Sequence, residues 1–209
     1  MEELKSYGNI PIEYSALLSH LYHYKSPADK VARMQNSGSL IHLKRGLYIL
    51  SPEISGQPFS MELIANHLYG PSYVSFESAL SLNGLIPERT YMLRSATSKR
   101  KKMFQTPVGS FEYTTVPESY FPIGVQQRII RNSFAFLVAG PEKALCDLIL
   151  TTAGLRFQSL KALNNYLVHD LRIDMDGVME WNPEIVVACS GQGYKKKELS
   201  LLYKLLRNG

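Results

Sequence analysis

The sequence has few cysteines and no long hydrophobic run. No apolar stretch reaches the roughly 18 residues that a membrane span requires, and Met1 to Lys5 carry no basic stretch leading into an apolar segment. The two cysteines, Cys146 and Cys189, are far apart in apolar surroundings, which favours buried free thiols over a disulfide or a zinc site. These absences predict a cytoplasmic protein that makes no membrane contact.

Signatures of common catalytic centres are also missing. The sequence has no glycine-rich phosphate loop, no Gly-x-Ser-x-Gly elbow and no Cys/His pair with nucleophile spacing. His20 and His23 are three residues apart on a predicted helix, but no cysteine or carboxylate accompanies them at metal-ligand spacing. We therefore expect a protein that is not an enzyme and that uses no cofactor and no metal ion.

The composition is that of an ordinary globular protein with a modest positive charge. The chain has 209 residues, of which 45% are hydrophobic and 20% charged, and its formal net charge is +5. This length accommodates a small domain followed by one of roughly 150 residues. The net charge is only weak support for a polyanionic partner, so the distribution of the basic residues matters more.

The N-terminal segment has the pattern of a winged helix-turn-helix. Apolar residues at steps of three and four predict one core-facing helix between Glu13 and Tyr22. Ser26 and Pro27 then predict the start of a second helix, because serine is a good N-cap and proline suits the first helical position. Only one clear helix precedes this predicted recognition helix.

A basic hairpin is predicted directly after the recognition helix. The segment Asn36 to Gly38 favours a helix end, and two apolar runs, 40–43 and 47–50, flank the turn Lys44-Arg45-Gly46. Such a hairpin is typical of a wing. We therefore predict a DNA-binding winged helix over residues 1–54.

The remainder of the chain predicts a larger domain. Pro52 to Pro58 has the composition of a connector, which places the second domain at residues 59–209. The predicted fold class is α+β, an N-terminal winged helix-turn-helix followed by a larger mixed α/β domain with a small sheet. Its predicted helices are 61–68, 75–83, 141–150, 160–168, 183–189 and 196–206, and its predicted strands are 91–97, 110–116 and 133–138.

Basic residues are concentrated in the predicted winged helix, where residues 26–50 contain a single acid, Asp29. Lys30 and Arg33 share one helix face, and the hairpin turn would reach an adjacent DNA backbone or minor groove. A solvated basic surface without a partner is the open alternative. The predicted DNA-binding residues are Lys30, Arg33, Gln35, Asn36, Ser37, His42, Lys44 and Arg45.

A second basic surface is predicted outside the winged helix. It comprises Arg89, Arg94, Lys99, Arg100, Lys101 and Lys102, with no acid between the first and the last. Three alternatives remain open for these residues: an extension of a phosphate-binding surface, a site for an acidic protein partner, and a solubilising loop.

Three acids keep a less favoured enzymatic alternative open. Glu77, Glu142 and Asp147 with magnesium would suit a nuclease, although their spacing matches no specific metal-ligand pattern. A structural role for these carboxylates is the favoured interpretation.

Three segments in order along the chain resemble a known family. They are the hairpin residues 40–50, the segment 73–86 with the sequence YVSFESALSLNGLI, and the segment 139–147 with the sequence AGPEKALCD. Together they are similar to the AbiEi family of antitoxins from type IV toxin–antitoxin systems, which act in abortive phage infection. The similarity covers most of the chain.

The resemblance implies a transcriptional autorepressor. Its winged helix would bind inverted repeats of double-stranded DNA in its own promoter, and its C-terminal domain would counteract a nucleotidyltransferase-like toxin. The resemblance does not imply that toxin and antitoxin bind each other. An inverted repeat predicts two copies on the operator, a monomer or weak dimer pairing on the DNA.

Overall fold

The computed structural model describes residues 2–87, 91–130, 133–175 and 181–208. Its fold is mixed α+β, with a three-stranded sheet near the N-terminus and a larger six-stranded sheet surrounded by helices. The predicted α+β class is confirmed at this level.

The N-terminal segment alternates short helices and strands. The elements are α1 (Glu2–Lys5), β1 (Ile12–Glu13), α2 (Tyr14–His20), α3 (Pro27–Asn36), β2 (Leu40–Lys44) and β3 (Leu47–Leu50). The strands form an antiparallel sheet in the order β1-β3-β2. Two helices therefore precede α3, and the prediction of one was wrong. Four-residue α1 and two-residue β1 are too short to show periodicity.

Local sequence explains where α3 and the hairpin begin and end. Pro27 occupies the first turn of α3 after an extended Ser26, and Val31 and Met34 are buried on one helix face. Gly38 after the helix and Gly46 at the hairpin tip have φ of +73° and +80°, values that favour glycine.

The hairpin contributes to two hydrophobic clusters. Leu40 and Leu50 pack in the smaller cluster with α2 and α3, whereas Leu43, Leu47 and Ile49 pack in the larger one. The predicted connector contains a helical turn, α4 (Pro52–Ser55), which ends at Gly56 in the left-handed conformation. The division into residues 1–54 and 59–209 stays a prediction.

The larger sheet has six strands in the order β6-β7-β5-β4-β9-β8. The pairs β5–β7 and β4–β9 are parallel and the other neighbours are antiparallel. The strands are β4 (Ser72–Val74), β5 (Met92–Thr97), β6 (Lys102–Thr106), β7 (Gly109–Thr115), β8 (Val125–Ile130) and β9 (Phe134–Ala139).

Sequence patterns predicted three of these six strands, so the sheet is larger than expected. The missed strands are β4, β6 and β8. Strand β4 has only three residues, and β6 and β8 are edge strands with many exposed polar side chains. The exposed side chains of β6 and β8 break the apolar alternation by which a half-buried strand is predicted.

The predicted helices of the larger part are all present. Helix α5 packs on strands β4, β5 and β9, and α6 and α9 pack against α7. In the described ranges no helix combines the length and the apolar character needed to cross a membrane. The helices are α5 (Met61–Leu68), α6 (Phe76–Leu82), α7 (Pro141–Thr151), α8 (Leu160–Asn165), the π-helical turn Tyr166–Asp170 that continues it, α9 (Pro183–Gln192) and α10 (Lys196–Asn208).

Candidate functional site

Helix α3 turns two of its predicted DNA-binding side chains to solvent. Arg33 and Asn36 are exposed, whereas Lys30 is half-buried with its ammonium 5.1 Å from the centre of the Tyr24 ring. Gln35 is also half-buried. Arg33 runs back along the helix, since its Nε donates to the backbone oxygen of Asp29 at 3.3 Å.

The end of α3 and the hairpin place the other predicted residues differently. The Ser37 hydroxyl donates to Met34 O, which is a local helix-end contact. His42 is exposed on β2, and its ring lies 5.2 Å from that of Tyr48 on β3. Arg45 is exposed at the hairpin tip. The tip is held in place because the amide of Tyr14 donates to Gly46 O at 2.9 Å.

Lys44 does not project from the hairpin tip as predicted. It is half-buried at the end of β2, and its Nζ donates to Leu68 O at the end of α5, 2.6 Å away. Helix ends carry carbonyl groups without an intrahelical partner, so an ammonium group is favourable there. This contact turns Lys44 away from the tip and towards the larger sheet.

Lys44 meets two residues of the second basic surface at this point. The Nζ of Lys99 donates to Gly70 O at 2.5 Å, and it lies 5.5 Å from the centre of the Tyr69 ring. The Nζ of Lys102 lies 5.3 Å from the same ring. We call Lys44, Lys99 and Lys102 the lysine cluster. Its scaffold is the segment Leu68–Gly70, which no sequence pattern singled out.

The surroundings of Lys44 disfavour its charged form. The pKa of Lys44 is lowered, first by burial and then by the positive charge of Lys102, with a further contribution from Lys99. The charge of Glu13 opposes this lowering but does not cancel it. An anion that approaches like charges held together in this way lowers their electrostatic free energy.

Two other members of the predicted second basic surface are neutralised by acids. Arg94 pairs with Glu77 and, at 3.2 Å, with Glu112, and Lys101 pairs with Glu112 at 2.9 Å. These acids come from other elements, so the run without acids in the sequence did not reveal them. Arg100 is exposed, and Arg89 lies outside the described residues.

The three acids of the nuclease alternative each have a partner within the protein. Glu77 pairs with Arg94, and Glu142 accepts a hydrogen bond from the amide of Asn182. Asp147 is fully buried 3.2 Å from the ammonium of Lys143. Within the part of the chain that the structure describes, no three His, Cys, Asp or Glu side chains are grouped as metal ligands.

Asp147 lies in a buried polar cluster without solvent access. The hydroxyls of Tyr73 and Ser75 donate to its Oδ2 at 2.9 and 2.6 Å. Burial raises the pKa of Asp147, against the opposing effects of Lys143 and the hydroxyl donors. The Ser75 hydroxyl therefore donates to this carboxylate. It does not cap α6, although its sequence position suggests a cap. The geometry suits a structural role.

His20, His23, Cys146 and Cys189 belong to no group of metal ligands among the residues that the structure describes. His20 shares a 2.6 Å hydrogen bond with the Tyr7 hydroxyl, while His23 is exposed with its ring 4.4 Å from that of Tyr24. Cys146 and Cys189 are buried free thiols, as predicted.

The fold and these surfaces define an α+β protein with an exposed helix, a fixed basic hairpin and a cluster of lysines beside it. No protein-family model matches the sequence, and no curated protein matches it. Among solved structures, the RV2827C protein from Mycobacterium tuberculosis is similar, with a TM-score of 0.61 and 12% sequence identity. The match covers 99% of this chain and 74% of that chain. At this identity the similarity concerns the fold alone.

Proposed function

We propose that this protein is a DNA-binding transcriptional autorepressor with a winged helix-turn-helix at its N-terminus. The observation that carries the proposal is the order α1-β1-α2-α3-β2-β3, with α3 and the hairpin tip exposing Arg33, Asn36 and Arg45. In a winged helix-turn-helix the last helix enters the major groove and the hairpin contacts the adjacent backbone.

The lysine cluster supports a polyanionic partner. Lys44 is brought together with Lys99 and Lys102 from a distant part of the chain, and burial, followed by the charges of these two lysines, lowers the pKa of Lys44. DNA phosphates would relieve this repulsion and release counterions, which makes binding favourable at low salt. The contact of Lys44 with the backbone carbonyl of Leu68 also stabilises the end of α5.

We further propose that the repressor acts as the antitoxin of a type IV toxin–antitoxin system. Support for this part comes from the three AbiEi-like segments 40–50, 73–86 and 139–147. The second and third segments meet in the fold, since Ser75 and Tyr73 bind Asp147. Where a nucleotidyltransferase-like protein is encoded beside this gene, co-expression of the two proteins tests the role, and an antitoxin must restore the growth that the toxin alone inhibits.

A gel-shift assay with the gene's own promoter tests DNA binding. We expect sequence-specific binding that Arg45→Ala weakens about fivefold to tenfold, because the exposed guanidinium at the hairpin tip is lost. The matched control is Arg156→Ala, since Arg156 is exposed on another part of the surface. Equal affinity for the promoter and for unrelated DNA would contradict the proposal.

The lysine cluster also fits a second candidate function, the binding of an acidic protein partner. Lys99 and Lys102 are exposed and lie beside the aromatic ring of Tyr69, so carboxylates could approach them from solvent. Co-purification of a neighbouring gene product that depends on Lys99 and Lys102 but not on Arg45, without DNA binding, would favour this candidate.

A further inference from the structure

The outer face of α3 carries a specific set of side chains. Ala28, Asp29, Ala32, Arg33 and Asn36 are exposed, and their spacing places them together, opposite the buried Val31 and Met34. Lys30 and Gln35, which flank this face, are half-buried. The exposed set therefore differs from the one that the sequence pattern predicted, because it includes an acid and two alanines.

Asp29 is the informative member of this face. A carboxylate facing DNA lowers the affinity for every sequence, because it repels the phosphates. A base edge can compensate this cost, since the amino group N4 of cytosine donates a hydrogen bond into the major groove and aspartate accepts it. Asp29 also lies in the first turn of α3, where the positive end of the helix dipole stabilises a carboxylate, so only substitution of Asp29 separates the two roles.

The neighbours of Asp29 have matching base partners. Arg33 reaches back over the first turn, where its Nε donates to the backbone oxygen of Asp29 at 3.3 Å. Arginine pairs with O6 and N7 of guanine, and asparagine pairs with N6 and N7 of adenine. Ala28 and Ala32 are small, so the helix can approach closely and their methyl groups can contact thymine methyls.

We propose that this face reads base sequence, with Asp29 selecting a cytosine, Arg33 a guanine and Asn36 an adenine in each operator half-site. The inference rests on the proposed function, because it assumes that α3 enters the major groove. It assigns discrimination between base sequences to α3. The lysine cluster then contributes only to the affinity for DNA of any sequence.

In vitro selection from a pool of random duplexes tests the inference. Wild-type protein and the variants Asp29→Asn and Asn36→Ala are each carried through the same rounds, and the enriched sequences are compared. We expect Asp29→Asn to bind unrelated DNA more tightly and to lose at least about tenfold of its preference at one cytosine position. Asn36→Ala should relax one adenine position and leave the others unchanged.

Controls separate folding and charge from base reading. Asp170→Asn removes an exposed acid on another part of the surface and should leave the enriched site unchanged. Unfolding curves of all variants should differ only slightly, because the substituted side chains are exposed and Asp29→Asn loses only an interaction with the helix dipole. If the wild type enriches no sequence, the proposed function and the inference both fail. If it enriches a site that Asp29→Asn and Asn36→Ala select identically, only the inference is overturned.

Discussion

Lys143 and Asp147 form an ion pair in the centre of the larger hydrophobic cluster, with both side chains fully inaccessible to solvent. The ammonium of Lys143 also donates to Tyr120 O and lies 3.2 Å from the centre of the Tyr120 ring. The carboxylate in turn accepts from Tyr73 and Ser75. One pair thus connects α7 with β4 and with the segment before β8.

Removing one partner of this pair should destabilise the protein strongly. Asp147→Ala leaves a buried ammonium without a counter-charge and two hydroxyls without their acceptor, which predicts a loss of about 3–5 kcal/mol in the free energy of unfolding. Urea unfolding measures this loss, and Asp170→Ala at an exposed position serves as the control. A loss no greater than that of the control would show that the pair does not hold the core together.

At the scale of elements, Glu112 on β7 ties neighbouring strands together. It pairs with Arg94 on β5 and with Lys101 directly before β6. Burial alone would raise the pKa of Glu112, but the hydrogen bond from Lys101 and the charges of Arg94 and Lys101 hold it below its ordinary value of 4.5. The carboxylate is therefore more acidic in the folded than in the unfolded chain.

This lowered pKa predicts an acid-sensitive contribution to stability. Because the folded-state pKa lies below the unfolded one, Glu112 stabilises the fold above pH 4.5, and the contribution disappears as the pH falls through the folded-state pKa. We expect Glu112→Gln to be less stable than wild type at neutral pH and to approach it in acid. Thermal unfolding from about pH 7 to pH 3 measures the difference. A difference that is constant over this range would contradict the assignment.

At the scale of the whole molecule, the lysine cluster joins the N-terminal hairpin to the larger sheet. Lys44 comes from the hairpin, and Lys99 and Lys102 come from the β5–β6 connection and the start of β6. All three surround the segment Leu68–Gly70. In the proposed repressor, a phosphate backbone following the hairpin would therefore also meet residues of the larger part.

The salt dependence of DNA binding tests this shared surface. Replacing Lys99 and Lys102 with alanine should reduce the slope of log affinity against log salt by about 2, since each lost phosphate contact contributes about 0.9. Fluorescence anisotropy with promoter DNA over a series of salt concentrations measures the slope. The control replaces Lys161 and Lys204, exposed lysines on α8 and α10, and should leave it unchanged. An unchanged slope in the Lys99 and Lys102 variant would exclude these residues from the interface.

Prediction from sequence succeeded where local patterns govern structure. The start of α3 follows from Pro27, which suits the first helical position by its own chemistry. The Ser60 cap of α5, which accepts a hydrogen bond from Leu63, is seen only in the structure. Prediction failed for Lys44, whose side chain is turned by a carbonyl 24 residues away. It also failed for Arg94, because Glu77 and Glu112 reach it only in the folded sheet.

The amino-acid sequence by itself determined the helices of six residues or more, three of the six strands of the larger sheet, the hairpin turn at Gly46 and the burial of both cysteines, because these depend on periodicity and on residues within a few positions. Tertiary structure alone decided which basic side chains are paired with acids. Coulomb forces act through space, whatever the separation of two residues along the chain. Glu112 therefore pairs with Arg94 and Lys101, and Lys44 lies close enough to Lys99 and Lys102 for their charges to lower its pKa, which burial lowers most.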